Sequence, residues 1–478
     1  MTNLIETPPA APPAKHLARA RRGTSVLAPW RAEAAALLTL AWPLAATQLS
    51  QMAVMTTDVL MLGRLGKSAL ASAAIGNTVF YFTWLIGVGP VFALAPMIAQ
   101  ALGGRRRANA EVRRIVRMGL WSVALLAPPL ILVLIFADRI LVLAHQDPVL
   151  AAGAARFVQM LAIGLPFSLI FQLLRNVSTA LGRPRPALWV MGATIVFNAF
   201  GDYALIFGRF GAPKLGLLGA GLSTSSSFIF SAVAMAAIMR LTPDLRRRRL
   251  LRRMHRPDLA KLAETFRLGM PIGLTMLFEA MLFNVMTLVM GVLGATNLAA
   301  HQVALNVASI TFMGPLGIAM GATVRVGLAA GAEDWAGVRR AGYTAMGFAC
   351  VLVTACGVVM ATCGRAIAGL YFASGSAEDQ AVIALAASFL KVAAAFQVFD
   401  ALQVVAALCL RGLKDARAPM VLAGLSYWVA GTPMCIALAF GLRMGGIGVW
   451  LGLAFGLFIA AVTMVTRFRW LSRPPARF

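Results

Sequence analysis

Charge is scarce in this chain. Only 13% of its 478 residues are charged and 17 are Asp or Glu, whereas an ordinary soluble domain carries about 25% charged residues. With 60% hydrophobic residues and a mean hydropathy of +0.81, no soluble core of this length could hide the apolar surface. Histidine is also rare, four in all. The five cysteines (Cys350, Cys356, Cys363, Cys409, Cys435) are scattered through apolar stretches without metal-ligand spacing and read as small core residues. There is no Ser/His/Asp arrangement and no nucleotide-binding domain, so nothing supports an enzyme. "GRLGKS" (Gly63 to Ser68) resembles the end of a phosphate-binding loop, but Met61 stands where the first glycine is required. "NVS" at Asn176 matches a glycosylation acceptor, yet it lies inside an apolar run, where that chemistry is not available.

What the chain does have is long apolar runs. Twelve stretches can be read at about 36–63, 69–100, 115–142, 157–181, 186–208, 216–240, 263–291, 297–328, 338–370, 383–410, 418–441 and 446–467, each long enough for a hydrocarbon layer ~30 Å thick. Their continuity excludes a β-barrel, whose signal is short alternating segments. The net charge of +26 follows the same pattern. Taking the termini and every second loop as one side, 32 of the 43 Lys and Arg fall there, including Arg105–Arg107, Arg246–Arg249, Arg252, Arg253 and Arg256. The opposite loops hold seven and the spans four (Arg175, Arg325, Arg365, Lys391). This asymmetry is the positive-inside rule. It predicts both termini in the cytoplasm and makes the basic charge topological, so no nucleic-acid partner is expected. Residues 1–33, rich in Pro, Ala and Arg with no apolar core, read as a disordered cytosolic tail and not as a signal peptide. A first lobe is expected over 34–240, a basic connector over 241–262, a second lobe over 263–470, and a short tail over 471–478.

The lobes repeat. At an offset of 228 residues Pro43 falls on Pro271, and "MLGRLGKSALASAAIGNTV" (61–79) lies over "VMGVLGATNLAAHQVALNV" (289–307). Residues 43–79 share ten identities in 37 positions without a gap, glycines included. Six spans per half is an even number, so both halves enter the membrane in one orientation, as in parallel-repeat transporters. The expected fold is an all-α polytopic membrane protein: twelve helices in two pseudo-symmetric six-helix lobes around a central cleft.

Four acids lie well inside spans: Asp58, Asp202, Glu279 and Asp400. A charge at the centre of a bilayer helix costs roughly 2.5–3.5 kcal/mol on insertion scales, so each needs a reason. At about 1.5 Å per residue, Asp58 (six before Arg64) and Asp202 (seven before Arg209) lie about 10 Å below the outer surface. Glu279 (12 after Arg267) and Asp400 (11 before Arg411) lie about 17 Å from the cytoplasm. The acids therefore form two depth-matched pairs, one per lobe. Asn198 is one turn before Asp202 on the same helix face, and "GLSTSSS" offers Thr224 as a further oxygen. Asp58, Asn198, Asp202 and Thr224 make a candidate first-lobe site for a hard cation such as Na+, which prefers oxygen ligands. The same carboxylates could instead exchange a proton. Glu279 and Asp400 form the second-lobe candidate, for a cation, a proton or the substrate. As a packing residue each acid would be a buried hydrogen-bond partner, which accounts poorly for two matched pairs.

With the halves, "AAHQVALNVASITFMGPLGIAM" (299–320) and "RGLKDARAP" (411–419) in hand, the chain resembles the multidrug and toxic compound extrusion (MATE) family, more closely its bacterial NorM-type branch, from about residue 34 to 470. The resemblance implies twelve helices in two lobes, and export of organic cations in exchange for inward Na+ or H+. By motif, Asp58 in "TTDVLMLGRLG" matches the family's first-span acid, and Glu279 in "LFEAMLF" and Asp400 in "FQVFDALQVV" match the branch's second-lobe acids. Asp202 departs from it, since that branch can carry Asn there.

Aromatic and Met residues surround the second-lobe acids in sequence: Phe278, Met281, Phe283, Met286, Phe312, Met313, Phe396, Phe399, Tyr427 and Trp428. Aromatic faces beside carboxylates suit lipophilic cations, and Met suits varied shapes. The expected cleft lining is Phe278, Phe283, Phe312, Met286, Phe396 and Phe399, each of which taken singly reads equally as helix packing. Three functions remain in view: a cation-drug antiporter, a lipid-linked saccharide flippase of the same superfamily, and a channel or receptor. A flippase cleft should carry several cations for pyrophosphate, and the spans hold four. A single pore would place its charge in one ring, not in two separate pairs. The leading expectation is a monomeric antiporter in the bacterial inner membrane, with small organic cations and the lipid bilayer as partners and no cofactor beyond the coupling ion.

Overall fold

The structure, a computed structural model, describes residues 28–474 except 105–107, 144, 146, 249–254, 256 and 373–375. The first lobe comprises α1 (Ala28–Gly63), α2 (Lys67–Gly103), α3 (Ala108–Ile135), α4 (Ala137–Leu143), α5 (Pro148–Ala180), α6 (Arg185–Phe207) and α7 (Leu217–Leu241). A short α8 (Pro243–Arg247) follows. The second lobe comprises α9 (Leu259–Val292), α10 (Ala295–Gly331), α11 (Trp335–Gly369), α12 (Ala377–Gly412), α13 (Arg417–Gly424), α14 (Thr432–Ile436) and α15 (Gly445–Leu471). Two π-helical segments, Leu425–Gly431 and Ala437–Gly441, flank α14 and join it with α13 into one span. No strand occurs among the described residues.

Among the described residues, eleven helices are long and apolar enough to cross a membrane. The exception is α1, which has the length, at 36 residues, but not the apolarity. Thr47, Gln48, Ser50, Gln51, Thr56, Thr57 and Asp58 dilute it. It packs along α6 of its own lobe and α10 of the other, in the place of a twelfth span.

Three boundaries differ from expectation. Residues 1–27 of the expected tail lie outside the described residues, but 28–33 belong to α1. Glu33 explains the longer helix: it accepts from Arg325 of α10 at 2.7 and 2.6 Å, a two-pronged charged contact that fixes an extra turn. The run at 115–142 is divided at Phe136 into α3 and α4. The tandem Pro128–Pro129 lies inside α3 without ending it, and at the division itself the Gln159 amide donates to the Ile135 carbonyl at 3.1 Å. The connector is shorter than 241–262, because Asp258 caps α9 by accepting from the Lys261 N–H at 3.2 Å. Arg105–Arg107, Arg249, Arg252, Arg253, Arg256 and residues 475–478 lie outside the described residues.

The 228-residue period holds in three dimensions. Gly66 and Gly294, one period apart, precede α2 and α10 with φ of 114° and 110°, a conformation that needs glycine. A Cβ on Gly89 of α2 would lie 2.5 Å from the Gly269 carbonyl oxygen of α9 and 3.0 Å from the nitrogen of Gly273, the repeat counterpart of Ala45. Its repeat partner, Gly317 of α10, would clash equally with Ala45 of α1, 2.5 Å from the backbone nitrogen. A Cβ on Gly103 would lie 2.2 Å from the Leu328 oxygen, and one on Gly331 2.1 Å from the Gln100 oxygen. Each glycine meets the repeat counterpart of what its partner meets, so a pseudo-two-fold axis passes through the α2–α10 crossing. Small residues permit this close approach of helix backbones.

The lobes meet at the end that carries the chain termini. Besides Glu33–Arg325, Gln100 donates to the Gly412 carbonyl at 2.8 Å. Arg114 of α3 binds Asp258 at 2.5 Å, and Lys261 of α9 binds Glu111 of α3 at 2.6 Å. Glu264 then ties α9 back to Lys414 of its own lobe at 2.8 Å.

Candidate functional site

In the first lobe, α6 ends at Gly208, whose φ of 70° turns the chain back, and α7 starts after Gly216. Two glycines bring these helices close: a Cβ on Gly219 would lie 2.4 Å from the Leu205 oxygen, and one on Gly201 2.6 Å from the Ser223 hydroxyl. The polar stretch of α7 thus lies against the face of α6 that carries Asn198 and Asp202. Asp58 comes in from α1. The Thr224 hydroxyl donates to its Oδ2 at 3.2 Å, and Asp202 and Asn198 are near enough to interact with it directly. Ser223 faces Asp202. The four expected residues are therefore brought together, with Ser223 as a fifth that the run of hydroxyls in "GLSTSSS" could have suggested.

The cluster is short of partners. Asp58 Oδ1, both carboxylate oxygens of Asp202 and both side-chain polar atoms of Asn198 are buried without a hydrogen bond. No three His, Cys, Asp or Glu come together among the described residues. The donor set here is instead two carboxylates, one amide and two hydroxyls, with no Lys or Arg of the described residues beside them.

In the second lobe, Glu279 of α9 and Asp400 of α12 are also neighbours, but a cation accompanies them. Arg411 of α12 and the Tyr427 hydroxyl lie within electrostatic reach of Glu279. Sequence reasoning missed both roles: Arg411 read as a loop residue marking the span end, and Tyr427 as one aromatic among many. The π-helical segment around Tyr427 widens the helix by a residue per turn, and such bulges recur at functional sites. Asp400 Oδ1 and Tyr427 Oη have no hydrogen-bond partner. Tyr81 of α2 also lies within electrostatic reach of Glu279, which puts this acid near the seam between lobes.

Two of the six expected lining residues do not line the cleft. Met286 and Phe396 are fully buried in the second-lobe core, Phe396 edge-on to Trp450 at 5.6 Å. Both helices are apolar on every side, so no stripe marked which residues turn inward. Phe278, Phe283, Phe312 and Phe399 are half-buried against the same core, Phe278 near Gly424 and Phe399 edge-on to Phe458 at 5.2 Å.

A family model described as MatE matches residues 43–204 and 271–437, two stretches that begin one repeat period apart. The chain belongs to the MATE family. A Mesorhizobium japonicum protein called "Probable multidrug resistance protein NorM" is 41% identical over 94% of this MATE chain and 97% of its own. The structure is similar to that of the eukaryotic MATE transporter AtDTX14, with a TM-score of 0.80, 24% identity and coverage of 93% and 98% of the two chains. It is also similar to a superfamily transporter from Pyrococcus furiosus Vc1, whose title reports a binding pocket of reverse polarity suggesting a different function (TM-score 0.81, 18% identity, 92% and 96% covered). This MATE chain is thus a multi-pass membrane transporter and not an enzyme.

Proposed function

We propose that the chain is a secondary multidrug antiporter of the bacterial cytoplasmic membrane, exporting lipophilic organic cations in exchange for inward Na+ or H+. The carrying observation is the division of intramembrane charge: an all-oxygen cluster without a cation in the first lobe, and an acid pair with an arginine in the second. Five oxygen-bearing side chains at Asp58, Asn198, Asp202, Ser223 and Thr224 suit a small hard cation or a shared proton. Arg411 makes the Glu279–Asp400 pair a poorer Na+ site, which leaves that pair to the organic cation. The relatives named for multidrug resistance support the same reading.

Pocket polarity decides among proteins of one fold. Among the described residues the charges set beside Asp58, Asp202, Glu279 and Asp400 include one cation, Arg411, which favours cationic cargo over the pyrophosphate of a flippase. Both termini face the cytoplasm in this reading, so the junctions at that end close the inner mouth and the cleft faces outward. Alternating access then requires the two ends to exchange roles, driven by the difference in bound charge between states. Purified protein in liposomes tests it. Ethidium movement should follow an imposed Na+ or proton gradient applied separately, and indifference to both gradients would overturn the antiport.

A further inference from the structure

At the end that carries the chain termini, the first lobe holds a cavity of about 590 Å³. Thr39 and Leu40 of α1, the turn 181–186 between α5 and α6, Trp189 of α6, and Ile238 and Thr242 at the end of α7 line it. Among these lining residues Arg183 and Arg185 carry charge and none is acidic. The corresponding turn of the second lobe, between α12 and α13, is different. Its Lys414 pairs with Glu264 at 2.8 Å, and its Asp415 with Arg467 at 3.0 Å. The first-lobe turn has two arginines and no acid of its own.

That turn is a stiff mount. Gly182 takes a φ of 77°, which favours glycine. Its N–H donates to the Thr179 carbonyl and the Arg183 N–H to that of Ser178, both at 2.9 Å, the paired closure of a helix C-terminus. Pro184 and Pro186 then fix their own φ. The mount also points away from the central cleft. Trp189 is 74% exposed while Asn198 is fully buried, and the nine residues between them span two and a half turns, so they occupy opposite faces of α6. Arg185 stands one turn before Trp189 on the outward face. Leu38 and Leu241, next to Thr39 and Thr242 in the chain, are exposed as well. Basic groups at helix ends, with an exposed Trp one turn deeper, are the pattern of a membrane–water interface.

We propose that this cavity binds an anionic phospholipid of the phosphatidylglycerol class, its phosphate at Arg183 and Arg185 and its acyl chains along Trp189. Guanidinium forks match phosphate oxygens, and basic pockets between helices at a membrane face take anionic headgroups. The Thr39 and Thr242 hydroxyls donate to their own helices, to the Ala36 and Ile238 carbonyls at 2.8 Å each. Their oxygens are left to accept, which suits the hydroxyls of a glycerol headgroup. An ammonium headgroup would meet two arginines and no lining acid. The bound lipid bridges α1, α6 and α7, the helices that carry Asp58, Asn198, Asp202 and Thr224, and ties them together at their base.

Native mass spectrometry of the purified full chain in detergent counts retained lipid, and the Tm reads the stabilisation that binding brings. Phosphatidylglycerol should be retained and should raise the Tm to a plateau. Phosphatidylcholine with the same acyl chains should bind at least about tenfold more weakly, and inorganic phosphate at equal concentration should leave the Tm unchanged. This comparison needs no variant. Equal retention of the two lipids overturns the proposal; so does an equal rise with inorganic phosphate, which would make the cavity a free-anion site. Arg183→Gln combined with Arg185→Gln should weaken phosphatidylglycerol about tenfold, and Lys at both positions should keep most of the binding. Arg267→Gln combined with Arg417→Gln removes the same charge from exposed second-lobe positions at that end and should cost less than about twofold. Full binding by the Arg183 and Arg185 variant overturns the site. An equal loss in the second-lobe variant does so too, since lipid would then follow basic surface charge alone.

Discussion

The two lobes share a frame and differ in chemistry. Where they touch, the repeat is kept: Gly89 with Gly317 and Gly103 with Gly331 make equivalent contacts. Where charge enters the membrane, it is not. The repeat counterpart of Asp58 is Met286, buried in the second-lobe core, and that of Glu279 is Gln51, a partner of Arg175. Among the described residues, the first lobe collects oxygens around two acids without a cation, and the second sets Arg411 near Glu279. A frame that must close equally at either mouth benefits from symmetry. In the antiport proposed above, two cargoes of different size and hydration, an ion and an organic molecule, would not bind in identical sites.

The largest effects should come from the acids. Asp58→Asn and Asp400→Asn each keep shape and remove charge, and each should cut ethidium efflux at least about tenfold, measured in cells and normalised to membrane protein. If both variants pump like the parent, the division of labour between lobes fails. Glu279→Gln should match them in size. Asp202→Asn should be milder, because an amide still supplies one oxygen to the cluster.

Next come the seams. Gly103→Ala and Gly331→Ala each force a Cβ onto backbone and should each destabilise by about 1–3 kcal/mol. The two losses in Tm should agree, and a large inequality would break the pseudo-two-fold frame. Glu33→Gln strands a half-buried Arg325 and should lose about 1–3 kcal/mol, seen as a lower Tm without loss of insertion.

The smallest effect belongs to Asp258, before α9. The Arg114 guanidinium beside it holds its carboxyl below the usual carboxylate range. That contribution is present at neutral pH and is lost as pH falls below about 4, through the lowered value. Because the pair is exposed, Asp258→Asn should change the Tm at neutral pH only slightly, by about 0.5 kcal/mol or less. It should also reduce the acid-dependent part of the melting curve, the remainder belonging to Glu264, whose carboxyl Lys261 and Lys414 also hold in its charged form.

Much of this was legible in the sequence because a bilayer is a strict solvent. It fixes span length, makes every intramembrane acid conspicuous, and sorts Lys and Arg by side. Asp58, Asn198 and Asp202 could be grouped by depth and helix period, and Thr224 by the run of hydroxyls in which it stands. Rotation about a helix axis was not legible, since spans apolar all round carry no stripe; hence Met286 and Phe396 were misplaced. Nor was the partner of Glu33, which is 292 residues away in sequence. The π-helical segments at Leu425–Gly431 and Ala437–Gly441 have no composition that sets them apart from the α-helix around them. Arg411 lies at a span end by position, and only packing brings its charge near Glu279.

The crossing of α2 and α10 at Gly103 and Gly331 is backbone against backbone. A joint of that kind behaves as a bare axle. It has no rotamers to unlock and no knobs to lift from holes when the angle between lobes changes, so friction there is set by van der Waals sliding alone. In the alternating access proposed above, the ion pairs at that end would act as the brakes. Restoring a side chain at the axle should therefore slow the swing itself, even in a molecule whose ion and cargo sites are intact.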